Sequence, residues 1–172
     1  MCSTVTCGPD AWPNFVIPSS QHMRPVLILA AVLLHVAAWA GGPVKWSFGM
    51  SDSIDGSARV LMTASCEEHW HLYAMKLPND EGPLPTTIRF VPSGSYELAG
   101  EPHEPVPTEI EDPNFMMLVR YHAGEVVFSA PIKRMTKEGF TVEGEVEFMC
   151  CNDKMCLPPE VVKFSVQFPA VK

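Results

Sequence analysis

An antiparallel β-sandwich is the fold class this sequence predicts, and three observations predict it. Short stretches that alternate apolar and polar residues recur along the chain, which is the period of a half-buried strand. Turn formers interrupt them at short intervals: the 172 residues include 17 prolines and 11 glycines. No long stretch carries the i, i+3, i+4 apolar spacing of an amphipathic helix. Several short strands with one apolar face each must bury those faces against one another, and two packed antiparallel sheets do so.

The first forty residues are set apart from that pattern. Met23 and Arg24 precede the apolar run Pro25–Ala38, and Ala38-Trp39-Ala40 follows as a small-residue exit. This is the pattern of a secretory signal peptide over 23–40, and the run is short of the roughly 20 apolar residues of a membrane span. Positions 1–22 hold Cys2, Cys7, Trp12 and three prolines without a lysine or arginine. They read as an extension outside the translated leader. The mature domain is therefore expected over 41–172, about 130 residues, enough for one core. No second long apolar run follows, so no membrane contact is expected after leader cleavage.

Strands are predicted at Lys45–Phe48, Arg59–Ala64, Leu72–Met75, Thr86–Phe90, Met117–His122, Val126–Ile132, Phe140–Phe148 and Val162–Phe168. The clearest is Phe140–Phe148. It directs Phe140, Val142, Val146 and Phe148 to one side, and Thr141, Glu143, Glu145 and Glu147 to the other. Between the fourth and fifth strands, Gly100–Pro113 is too rich in proline and acid for a regular element and reads as a long surface loop. The net charge of −8 is spread along the chain, which excludes a nucleic-acid binder. With no obvious apolar patch, a monomer is expected.

Export changes the meaning of the cysteines, because thiols outside the cytosol tend toward disulfides. Four fall in the mature region, Cys66, Cys150, Cys151 and Cys156, and three of them lie within seven residues. Such clustering points to local chemistry rather than a stapled scaffold. Asn152-Asp153-Lys154-Met155 is a turn composition that can bring two cysteines together, and Leu157-Pro158-Pro159 gives an extended exit. Strand parity continued from Phe148 turns Cys150 to the apolar side and Cys151 to the other, which favours Cys151 as the accessible thiol. Thiol–disulfide exchange needs an attacking thiolate, a resolving thiol and access for a partner's sulfur. Two other uses fit these residues: a structural hairpin disulfide, and a soft-metal site using Cys150, Cys151, Cys156 and Met155. Cys66 reads as a buried free thiol or a partner for Cys150. His69 and His71, two apart on an expected strand, would share one face.

Taken with Trp70-His71-Leu72-Tyr73 and Gly82-Pro83-Leu84-Pro85-Thr86-Thr87-Ile88, the segment Cys151–Glu160 resembles the N-terminal periplasmic domain of the thiol:disulfide interchange protein DsbD. The resemblance spans roughly residues 44–168. It implies an all-β, immunoglobulin-like antiparallel β-sandwich that relays reducing equivalents, with no cofactor beyond its redox-active disulfide. It implies a thioredoxin-like electron donor and periplasmic thioredoxin-fold clients, including those of cytochrome maturation. It places Cys156 as the cysteine that joins partners and Cys151 as its resolving mate. Cys150 remains an alternative first cysteine, because family spacings of both kinds occur. His71 and Tyr73 fall where the family has aromatic residues beside the site, and Phe115 where it has a shielding cap. The sequence holds neither the membrane conduit nor the thioredoxin-like domain of the family, so the reductant is expected to be a separate protein. The rival expectations are a secreted immunoglobulin-like binding module with a structural disulfide and a Cu(I) carrier.

Overall fold

The computed structural model describes residues 41–52, 58–79 and 81–171 of the chain. The expected extension and leader, 1–40, lie outside the described residues.

Eleven strands follow in order: β1 Val44–Asp52, β2 Ala58–Cys66, β3 His71–Tyr73, β4 Thr87–Phe90, β5 Tyr96–Leu98, β6 Thr108–Asp112, β7 Met117–Ala123, β8 Glu125–Arg134, β9 Phe140–Phe148, β10 Cys150–Cys151 and β11 Glu160–Phe168. They form three hydrogen-bonded sheets, ordered β1-β2-β8-β5, β10-β3-β7-β6 and β11-β9-β4. Every pairing between neighbouring strands is antiparallel. The fold is an immunoglobulin-like sandwich, and no helix occurs among the described residues. None, therefore, is long and apolar enough to cross a membrane.

Alternation in the sequence explains the core. Val60, Met62 and Ala64 from β2, Phe128 and Ala130 from β8, Val142, Val146 and Phe148 from β9, and Phe164 and Val166 from β11 share one buried cluster. Aromatic rings fill its middle: Trp46 lies 5.4 Å from Phe148 and 5.7 Å from Phe128, and Phe48 lies 5.1 Å from Phe164. Offset and tilted ring pairs of this kind add roughly 0.5–1.5 kcal/mol each beyond the area they bury. Gly144 lets β4 and β11 close around β9, since a Cβ there would collide with the Arg89 carbonyl oxygen and the Phe164 ring.

Two features position the site. First, β9 and β10 are one run of chain interrupted only at Met149, so the sheet carrying β9 hands its strand over to the sheet carrying β3. Second, Gly124, at φ 67°, turns β7 directly into β8 and carries the chain from one sheet to the other.

All eight expected strands are present. Three more, β5, β6 and β10, were not anticipated. Most of Gly100–Pro113 does run as a loop, but its last part forms β6, an edge strand paired to β7 from Thr108 to Asp112. An edge strand is fixed by main-chain bonds to one neighbour, so it needs no apolar alternation. Here Arg120 of β7 also reaches Glu109 of β6 at 2.7 Å. His69 and His71 do not share a face. His69 sits at φ 69° in the turn closed by the Trp70 N–H bonding to the Glu67 carbonyl, and it is exposed, whereas His71 opens β3.

Candidate functional site: a capped disulfide

Cys151 and Cys156 form a disulfide, with Cα atoms 4.0 Å apart. The turn between them is held by its own asparagine. Asn152 Oδ1 accepts the Lys154 and Met155 N–H groups, both at 2.9 Å, while the Asn152 N–H donates to the Met155 carbonyl. Beyond it, the Leu157 N–H returns to the Cys150 carbonyl at 2.9 Å, so both ends of the loop are pinned. The choice left open by the adjacent cysteines is thereby made: Cys156 pairs with Cys151, and Cys150 is a free thiol, as is Cys66.

Parity separates Cys150 from Cys151 as expected, but the expected exposure of Cys151 is wrong. Cys150 joins the main core, and Cys151 is 0% exposed on the opposite face. That face is covered rather than open. Tyr73, Val119 and Cys151 make a second small core, against which Phe115, Met117, Tyr121, Met149 and Cys156 pack. Cys156 is the half-buried member of the pair. The other two thiols are held inert: burial first, then the Glu160 charge, pushes Cys150 up to about 11. Burial and then Cys150 push Cys66 up to about 11, against a lowering backbone hydrogen bond at Leu72. Thiols so raised stay protonated at neutral pH and are poor nucleophiles.

The three aromatic or imidazole positions named from sequence meet at the bridge. His71 pairs in register with Cys151 across β3 and β10. Its ring stands edge-on to Tyr73 at 5.4 Å and lies 4.8 Å from Tyr121. Phe115 stacks edge-on against Tyr73 at 5.9 Å, above the buried sulfur.

Asp112, which sequence reasoning passed over, ties these groups together. Its side chain is 2% exposed. One carboxylate oxygen accepts the Tyr73 hydroxyl at 2.7 Å; the other accepts the Asn114 N–H at 2.7 Å and the Phe115 N–H at 3.4 Å. The turn that carries Phe115 is thus anchored on the floor of the site, with the Met116 N–H closing on the Asp112 carbonyl and Met116 at φ 53°. Asn114 Nδ2 then donates to the Asn152 carbonyl at 3.1 Å, stitching the cap to the disulfide loop. The signal was present as Asp112-Pro113-Asn114, a turn-initiating triplet just before an aromatic residue.

Electrostatics follow from burial. The Tyr73 hydroxyl is held strongly protonated by burial, then by its bond to Asp112. Burial lowers the His71 pKa, against raising contributions from Asp112 and Asp153, so the neutral imidazole is favoured. His71 Nε2 is 3.8 Å from the Asp112 carboxylate, too far for a hydrogen bond, and has no other partner. A groove of about 250 Å3 runs beside it, lined by His71, Trp70, Tyr121 and Asp153. A groove of about 700 Å3 between Phe90 and Phe164 contains no cysteine. No group of three or more His, Cys, Asp or Glu side chains among the described residues is arranged to hold a metal ion.

Solved structures are similar to the chain in fold. The crystal structure of the Neisseria meningitidis DsbD N-terminal domain in the reduced form matches with a TM-score of 0.53. It is 14% identical, over 74% of this chain and 87% of that one. The N-terminal periplasmic domain of ScsB from Proteus mirabilis gives 0.48 at 17% identity, over 74% and 47%. The complex between the DsbD N-terminal and PilB N-terminal domains from Neisseria meningitidis gives 0.48 at 14%, over 71% and 80%. No curated protein sequence matches the chain. The family described as thiol:disulfide interchange protein DsbD, N-terminal, matches residues 45–167, and by that match the chain belongs to it.

Proposed function

We propose that the domain relays reducing equivalents between thioredoxin-fold proteins through the Cys151–Cys156 bridge, in an oxidising compartment reached through the leader at 23–40. The observation that supports this reading is the asymmetry of the bridge. One sulfur is sealed among Tyr73, Val119 and Phe115, while the other belongs to a half-buried cysteine at the end of the exposed turn Asp153–Met155. A purely structural disulfide has no need of one cysteine sealed under an aromatic cover and the other half-buried.

In the receiving step, a donor thiolate attacks Cys156 Sγ and the Cys151 thiolate leaves. The donor's second thiol then attacks its own sulfur in that mixed disulfide. The donor departs oxidised, and the domain keeps two electrons as two thiols. In the delivering step the Cys156 thiolate attacks a client disulfide, and Cys151 attacks Cys156 Sγ to release the reduced client. Burial disfavours a free Cys151 thiolate, so Cys151 leaves and attacks slowly until a docking partner opens the cover. Phe115 turns solvent thiols away until a docking partner displaces it. His71 stands in register with Cys151 on the neighbouring strand and is assigned the proton exchange at the departing sulfur.

The test is trapping. Cys151→Ser should accumulate mixed disulfides with thioredoxin-fold clients through Cys156, and Cys156→Ser should accumulate none. The wild-type bridge should show a two-electron midpoint of roughly −180 to −270 mV. Equal trapping by the two variants would refute the assigned roles. A bridge that stays closed below about −300 mV would leave a binding module with a structural disulfide.

A further inference from the structure

Four of the chain's ten methionines surround the bridge, and the exchange reaction uses none of them. Met117 and Met149 pack on the cluster that contains Cys151. Met155 lies inside the disulfide loop and is 51% exposed, while Met116, at the tip of the cap turn, is 88% exposed at a positive φ. Packing accounts for the first two, since thioethers fill gaps beside aromatic rings. It does not account for the exposed ones: Met116 stands on a positive-φ turn residue and buries almost nothing, and half of Met155 faces solvent.

From this arrangement we propose that the reduced domain binds one Cu(I), held by the Cys151 and Cys156 thiolates and a thioether from Met149 or Met117, with Met116 and Met155 as entry ligands at the mouth. This rests on the bridge being reducible, as the exchange reading requires. Opening the bridge leaves two sulfurs on Cα atoms 4.0 Å apart, in the cluster on which Met117 and Met149 pack. Soft thiolate and thioether donors select a soft, low-coordinate cation. Zinc asks for four nitrogen, oxygen or sulfur ligands. The described residues gather no three such His, Cys, Asp or Glu groups, so two thiolates and a thioether suit Cu(I) and not zinc. Binding involves no redox change: two thiol protons are released to solvent, and Cu(I) takes their place between the two sulfurs. Metal and disulfide exchange then compete for the same thiols, so copper would switch the relay off.

The experiment takes the full chain, reduces it with excess phosphine, desalts it without oxygen and counts thiols by alkylation mass. Cu(I) is then offered with bicinchoninate as competing chelator. The wild type should retain one copper more than the Cys151→Ser/Cys156→Ser chain, which controls for the remaining cysteines. Copper-edge X-ray absorption should show three sulfur neighbours. In the volume-conserving Met117→Leu/Met149→Leu chain it should show two, with retention about tenfold weaker for the loss of one soft ligand. Equal retention by wild type and the double serine chain overturns the metal site and leaves the exchange reading standing. An unchanged sulfur count in the double leucine chain overturns the thioether assignment. A bridge that stays closed under excess phosphine overturns both readings together.

Discussion

Removing the Asp112 carboxylate is the perturbation that tests the architecture of the site most directly. In Asp112→Ala the buried Tyr73 hydroxyl and the Asn114 N–H lose acceptors that stand at 2.7 Å, and the Phe115 N–H loses a longer one. Hydrogen bonds to a charged group contribute about 1.5–3 kcal/mol each. Two such bonds therefore lose about 3–6 kcal/mol, partly offset because a buried carboxylate no longer has to be desolvated. The expected net destabilisation is about 2–4 kcal/mol, a large share of the roughly 5–15 kcal/mol that holds a domain folded. Asp112→Asn retains a carbonyl oxygen for the cap N–H groups and loses mainly the charge toward Tyr73, so it should cost about 1 kcal/mol. Tyr73→Phe should match it. Urea unfolding followed by tryptophan fluorescence reports the stability, since Trp46 packs on Phe148 in the core. Quenched alkylation after mixing with dithiothreitol reports how fast the bridge opens. A cap released from its anchor should open the bridge severalfold faster in Asp112→Ala than in the wild type, with Asp112→Asn between them. If Asp112→Ala unfolds within about 0.5 kcal/mol of wild type and its bridge opens at the wild-type rate, the carboxylate does not anchor the cap and the reasoning fails.

Four further outcomes follow from particular contacts. Phe115→Ala should speed reduction by dithiothreitol and cost about 1–2 kcal/mol, because it deletes the ring edge-on to Tyr73; unchanged alkylation kinetics would show that Phe115 shields nothing. Cys150→Ser should leave the redox midpoint where it is and lower stability, as it places a hydroxyl in the main core; a shifted midpoint would bring Cys150 into the redox pair. Gly144→Val should be among the most damaging single changes, at about 3 kcal/mol or more, through collision with Arg89 and Phe164; near-native thermal unfolding would contradict the packing of β9. Acid should weaken the fold in two stages. His71 has a folded pKa below the usual 6.5, through burial. Glu104 lies below its usual 4.5, where bonds from His122 and the Met75 N–H outweigh burial. Both groups bind protons more weakly folded than unfolded, so their stabilisation is present above those usual values and is lost as pH falls through the lowered ones. Melting temperatures of wild type, His71→Phe and Glu104→Gln between pH 7.5 and 4 should assign the upper loss to His71 and the lower to Glu104.

The alternation of residues determines most of the strands by itself. β9 begins and ends where Phe140–Phe148 alternates, and β11 contains the expected Val162–Phe168, because each carries one apolar side that only a sandwich core can bury. The cysteine segment was partly legible: clustering pointed to a bridge here and the turn composition of Asn152–Met155 gave the loop that closes it, while Cys150 stood beside Cys151 as an alternative first member. Edge strands were not legible. β6 is exposed at every residue but Asp112, so nothing in its pattern marks it, and its place is set by main-chain bonds and one ion pair to β7.

Only the tertiary structure decided which cysteine of the bridge is the more buried. Parity assigned Cys150 and Cys151 to opposite faces correctly, yet it treats the second face of a strand as solvent. A turn contributed from residues 113–116, nearly forty positions away in sequence, covers that face instead. Burial is a sum over everything that packs on a residue, and a strand's own sequence reports only which way its side chains point. The same limit hid Asp112: a carboxylate in an acidic loop reads as solvated until the fold brings a tyrosine hydroxyl and two backbone N–H groups to it.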